Sequence, residues 1–131
     1  MNDPLRQDYI DYRIKSSKEA FESAELLANN GHWNAAINRL YYSCFYVVSA
    51  LLYKNNINAK KHSGLKHQFA QHFIKTGLIE NNTAKIYLRL SDWRNRSDYD
   101  DFDDFNEEKT MPLFRPVENF INAVLILIED K

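Results

Sequence analysis

"HWNAAINRLYYSCFYVVSALLYK", residues 32–54, is the stretch on which the reading of the fold turns. Trp33, Ala36, Ile37, Leu40, Tyr41, Cys44, Val47, Val48, Leu51 and Leu52 recur at intervals of three and four, the period of one face of an α-helix. The stripe is too wide for a single neighbour to cover, so the spacing places this helix at the centre of a bundle. Only Arg39, Tyr42, Ser43, Tyr46 and Ser49 mark a more polar side.

The segments on either side repeat the period. From about Leu5 to Asn29, Ile10, Ile14, Phe21, Ala24 and Leu27 hold an apolar face, and Asn30 with Gly31 supplies the stop signal. After the loop "KNNINAKKH" a shorter helix runs from about Ser63, its expected cap, to Lys75, with Leu65, Phe69 and Phe73 spaced by four and Gly77 beyond its end. Asn82 or Thr83 is the expected cap of a fourth helix whose core face is Ile86, Leu90 and Trp93. On its exposed side Asp92 and Arg96 stand at i,i+4. The last helix begins between Asn106 and Pro116 and reaches about Glu129. The expected fold is all-α, an up-and-down antiparallel bundle of four to five helices forming one domain over residues 1–131.

Bulk composition narrows the function classes. A chain of 131 residues can bury a core without disulfides or metals, and three glycines with three prolines are too few for a strand-and-turn architecture. A net charge of −1 removes any global basic field that would draw in nucleic acid or a membrane surface. The charges are nevertheless polarised. From Lys60 to Arg96 all but Glu80 and Asp92 are positive, with His62, His67 and His72 among them, whereas Asp98 to Glu108 is wholly acidic. A local anion site is therefore compatible with the balance. The single cysteine, Cys44, falls on the apolar stripe and reads as a small buried hydrophobe. The N-terminal residues lack a basic region followed by an apolar run, and no stretch of about 18 uncharged apolar residues occurs. A cytoplasmic protein without a membrane role is expected.

Polar residues that begin on apolar faces are the candidates for chemistry. Arg94 follows Leu90 by one turn and Tyr87 by two, so its side chain starts beside the core face. There it needs an acid or a ligand, since an unpaired buried guanidinium costs several kcal/mol. Asp98, at i+4, is the local acid, and the sequence leaves open a structural clamp or a ligand contact. Arg39, with Tyr42 at i+3, is open in the same way between an internal ion pair with an aspartate and a phosphate contact. The run Asp98, Asp100, Asp101, Asp103, Asp104 has no glycine turn or calcium-loop spacing and reads as a solvated segment. His67 and His72, five apart, do not share a face as a zinc pair would, so no metal is expected.

Three blocks in order, "NRLYYSCFYVVSALLYK" (38–54), "KKHSGLKHQFAQHFIKTG" (60–77) and "LSDWRNRSDYDDF" (90–102), resemble HEPN-domain proteins. The similarity is to the small stand-alone branch with Arg, two residues, a small residue, Asp and Tyr at the end of its fourth helix. The resemblance implies a bundle that dimerises with the arginine motif of each subunit facing a shared cleft. It also implies RNA or nucleotide binding, no cofactor, and a nucleotidyltransferase partner protein in a module of toxin–antitoxin type. In the catalytic members the motif is Arg, four to six residues, His, and the activity is metal-independent RNA cleavage.

Carried over by position, the arginine is Arg94, and the residue five further on is Tyr99 rather than histidine. A tyrosine of ordinary pKa about 10 is ionised at roughly one part in a thousand at neutral pH, a handicap of about 4 kcal/mol for a base. Arg94 favours phenolate, while Asp98, Asp100 and Asp101 oppose it. His62, in the "KHSG" block, is then either a displaced acid or base or a structural residue hydrogen-bonded at a helix start. The candidate catalytic set is Arg94, Tyr99, Asp98 and His62, and the residues themselves offer Arg39, Arg96 and Tyr42 as nucleic-acid or nucleotide contacts. The expected activity is at most a weak ribonuclease. The competing expectation is a non-enzymatic dimeric interaction module in which Arg94, Asp98 and Tyr99 are structural or dock a partner.

Overall fold

The computed structural model describes residues 4–59, 61–97 and 105–129, apart from the side chains of 95–97. Its elements are α1 (Pro4–Asn29), α2 (Trp33–Lys54), α3 (His62–Phe69) continuing as a π turn (Ala70–Ile74), α4 (Asn81–Ser97), α5 (Glu107–Thr110), a 3-10 turn (Met111–Leu113) and α6 (Phe114–Glu129). The last three follow without a break, so the described residues form five helical stretches and no strand, the all-α bundle that the periodicity predicts.

The centre is α2, which packs on α1, α3, α4 and α6. Leu40, Cys44, Val47, Val48, Ala50 and Leu51 on it are wholly buried, as the wide stripe requires. Small residues bring α1 close: Ala20, Ala24 and Ala28 are buried against it, and the Ser17 hydroxyl donates to the Ser43 carbonyl at 2.6 Å. On α6, Val117, Phe120, Ile121, Val124 and Ile128 are buried. The continuous stretch Glu107–Glu129 is long and apolar enough by length and composition to cross a membrane, yet this face of it packs within the bundle, against α2 and α4.

Backbone geometry explains the turns. Gly31 sits at φ +75°; its N–H donates to the Ala28 carbonyl at 3.0 Å while the His32 N–H reaches the Leu27 carbonyl at 2.9 Å. That pair of bonds is a Schellman motif, and it reverses the chain from α1 to α2. The same device closes α2, with Asn56 at φ +60° and bonds from Asn56 to Tyr53 and from Ile57 to Leu52. Cations finish the carbonyls at this end. The Arg6 guanidinium donates to the carbonyls of Tyr53 and Lys54, and the Lys54 ammonium donates to those of Leu127 and Ile128.

Two boundaries differ from expectation, and the start of the last helix falls within its expected range. Ser63 is not a cap: α3 starts at His62, because the Lys61 carbonyl already takes the Leu65 N–H at 2.9 Å. Neither Asn82 nor Thr83 caps α4, which starts at Asn81 with the Glu80 carbonyl accepting from Ala84 at 3.0 Å. The final stretch is capped by Asn106, whose side chain accepts the Lys109 N–H at 2.9 Å, and Pro112 lies in the 3-10 turn where its missing N–H costs little. Asp92 reaches across to Lys66 of α3 at 3.8 Å. The expected Arg96 partner has its side chain outside the described residues.

Candidate functional site

Two consecutive tyrosines on α2 organise the site. Successive helical side chains diverge by about 100°, so Tyr41 turns into the core, where it is 1% exposed, while Tyr42 stays half-buried at the surface. Arg94, in the last turn of α4, lies over both rings, 5.4 Å from the Tyr41 centroid and 5.7 Å from that of Tyr42. Its Nη2 donates a long bond of 3.4 Å to the Tyr42 hydroxyl. Arg39 covers Tyr42 from α2 itself, with its guanidinium 5.5 Å from the ring centroid.

His62 approaches the same pair from the start of α3. Its Nδ1 is 2.8 Å from the Tyr41 hydroxyl, and its ring stacks on Phe45 at 4.2 Å and 15° while meeting Tyr42 edge-on at 5.8 Å. Arg94 and His62 are far apart in the chain yet touch the same two tyrosines. Beside them opens a cleft of about 430 Å³, lined among others by Arg39, Tyr41, Arg94, Trp93, Asn38 and Phe105.

Electrostatics follow from this packing. Burial pushes the Tyr41 phenol up to about 12 against the opposing pull of Arg94, so it remains neutral. Burial also lowers the pKa of His62, and the Arg94 charge lowers it further, which leaves the imidazole neutral at pH 7. Donor and acceptor between Tyr41 and Nδ1 exchange with the tautomer. With Nδ1–H donating to the phenol oxygen, Nε2 is an acceptor; with the phenol donating, Nε2 carries the proton. The Cys44 thiol is wholly buried and pushed far above its ordinary value, consistent with a packing role.

Of the residues singled out from the sequence, Arg39, Tyr42, His62 and Arg94 come together here. His62 lies near the end of α4, against the same tyrosines that Arg94 covers. Arg39 meets no carboxylate among the described residues; the partner it has is the Tyr42 ring. Asp98, Tyr99 and the rest of the acidic run to Asp104 lie outside the described residues, as does the Arg96 side chain. His72 shares a hydrogen bond with Gln68 at 3.1 Å, and among the described residues it and His67 belong to no group of three or more His, Cys, Asp or Glu side chains that could hold a metal.

Tyr41 and Phe45 are additions to the residues singled out from the sequence: Tyr41 falls on the apolar stripe and reads as core, and Phe45, off that stripe, carries no polar signal of its own. The adjacent pair Tyr41–Tyr42 was the available signal, since neighbouring rings on a helix necessarily join interior to surface. Asn34 and Asn38, one turn apart on α2 and both lining the cleft, carried no pattern that distinguished them from solvent-facing amides.

The chain is 36% identical over 125 residues to a UPF0332 protein of Thermotoga maritima, covering 95% of each. It is 34% identical over 109 residues to a Methanocaldococcus jannaschii protein named "Putative toxin MJ0142", covering 83% of this chain and 74% of that one. A second protein of that organism, "Putative toxin MJ0605", is 29% identical over 95% of this chain and 91% of its own length. The HEPN domain matches residues 10–127, from the first buried residue of α1 almost to the end of α6, and the chain belongs to the HEPN-domain family.

Proposed function

We propose that this HEPN protein is the toxin-type member of a two-component module, a cytoplasmic homodimer that binds RNA in the Arg94 cleft and cleaves it slowly without metal. The observation that carries the reading is the meeting of Arg94 and His62 on Tyr41 and Tyr42, beside a cleft that Arg39 also lines. The names of the Methanocaldococcus relatives support the toxin role. The partner is a nucleotidyltransferase, the class of protein that the resemblance brings with it.

In this reading Arg94 holds the scissile phosphate and stabilises the charge that grows on its oxygens. His62, neutral at pH 7, takes the proton of the ribose 2′-hydroxyl at Nε2 while Nδ1–H stays on Tyr41. The 2′-oxygen attacks phosphorus, the bond to the 5′-oxygen breaks, and the imidazolium returns the proton to that leaving oxygen. Tyr99 replaces the motif histidine and leaves the reaction with one good proton-transfer group, so slow turnover is expected.

The second reading is a non-enzymatic interaction module. It is favoured by the stacking of His62 on Phe45 and its bond to Tyr41, which a purely structural histidine would also make. A metal-free cleavage assay on labelled structured and unstructured RNAs separates the two. Cleavage by the wild type that disappears in both Arg94→Ala and His62→Ala is the expected result. Silence from both the wild type and Tyr99→His, with a partner protein still captured, would favour the interaction module.

A further inference from the structure

The cleft beside Arg94 has a wall that phosphate binding does not use. We infer that this wall is a base-recognition pocket for one unpaired adenine next to the phosphate held by Arg94, with Asn38 as the residue that reads its edge. The inference rests on the RNA-binding reading given above and deepens it from a polymer class to a base.

Shape and polarity point this way. The cavity, about 430 Å³, falls in the size range of pockets that enclose small ligands and has room for a nucleotide. One side is aromatic: Trp93 and Phe105 stand 5.2 Å apart at 56°, already touching one another, so a base stacks on the rim they form and not between them. Phe105 is pinned there because its N–H donates to Asn34 Oδ1 at 3.0 Å. That bond occupies the Asn34 oxygen. Asn38, one turn further along α2, is exposed, lines the same cavity, and has no hydrogen-bond partner among the described residues.

A free carboxamide offers one donor and one acceptor side by side. An unpaired adenine presents the complementary pair on both edges, N6 with N7 and N6 with N1, whereas guanine presents it on one edge alone, at N1–H and O6, and two acceptors at N7 and O6. Uracil and cytosine also cover less of an aromatic rim. The two arginines complete the geometry, because Arg39 and Arg94 line the same cavity and can receive the phosphates on either side of the bound base.

The test is fluorescence anisotropy with the full chain and four labelled heptamers, UUUAUUU, UUUGUUU, UUUCUUU and UUUUUUU. The adenine heptamer is expected to bind the wild type roughly tenfold more tightly than the all-uridine one, the discrimination of a good amide–base pair. Asn38→Ala should bring the adenine heptamer down to the uridine level and leave the uridine heptamer unchanged, while Arg94→Ala should weaken all four alike. Equal binding of the four heptamers to the wild type, or an adenine preference that survives Asn38→Ala, overturns the pocket while leaving the RNA reading standing. No binding of any heptamer to the wild type overturns the RNA reading and the pocket with it.

Discussion

A neutral imidazole held near a guanidinium has a pH signature. His62 is harder to protonate in the folded protein than in the unfolded chain, where its pKa is 6.5, because burial and the Arg94 charge both oppose the cation. As pH falls below about 6.5 the unfolded state binds the proton first, so the stability that depends on neutral His62 is present above that pH and is lost on acidification. Titration of His62 by NMR is expected to give a pKa below that of a free histidine, and Arg94→Ala should move it upward. An unchanged value in Arg94→Ala would mean that burial alone sets it. At this scale the sequence was legible wherever a polar residue interrupted an apolar face, which is how Arg39, Tyr42 and Arg94 came to notice. Tyr41 was hidden because the helical interval that makes a core also carried it into the site, and Phe45 because an aromatic ring off the stripe carries no polar signal.

Elements are decided by their ends. The α1–α2 reversal depends on Gly31 at φ +75°, where a side chain meets no atom within 4 Å but the backbone conformation disfavours any β-carbon. Gly31→Ala is therefore expected to cost about 1 kcal/mol through the backbone alone, measured as a lower urea midpoint at unchanged slope. A loss several times larger would point to a packing role for this turn. The stop at Asn30 and Gly31 was readable because glycine announces a left-handed position. The caps of α3 and α4 were misplaced by two or three residues, because Ser63, Asn82 and Thr83 have cap-type side chains whereas backbone carbonyls at Lys61 and Glu80 begin the turns. The π turn at Ala70–Ile74 left no trace in the pattern. Phe69 and Phe73, stacked at 5.8 Å, are four apart in either kind of helix.

For the whole molecule, the all-α architecture followed from one helix: once α2 is apolar on most sides, the other helices have to surround it. Assembly is a separate matter, argued from family membership and the cleft. Sedimentation of the full chain is expected to give about twice the 15.5 kDa protomer mass, and a monomer at every concentration tested would remove the shared-cleft reading. The two ends of the bundle are finished differently. Arg6 and Lys54 close helix carbonyls at one end, while the Tyr41–Tyr42 site and its cleft lie toward the other, roughly 20 Å away by the rise of α2 from Arg39 to Lys54. Changes separated by such a distance combine nearly independently. The bundle thus has a foundation at one end and an open aromatic face at the other, and a substitution around Arg94 can be absorbed there without renegotiating the carbonyl closure made by Arg6 and Lys54.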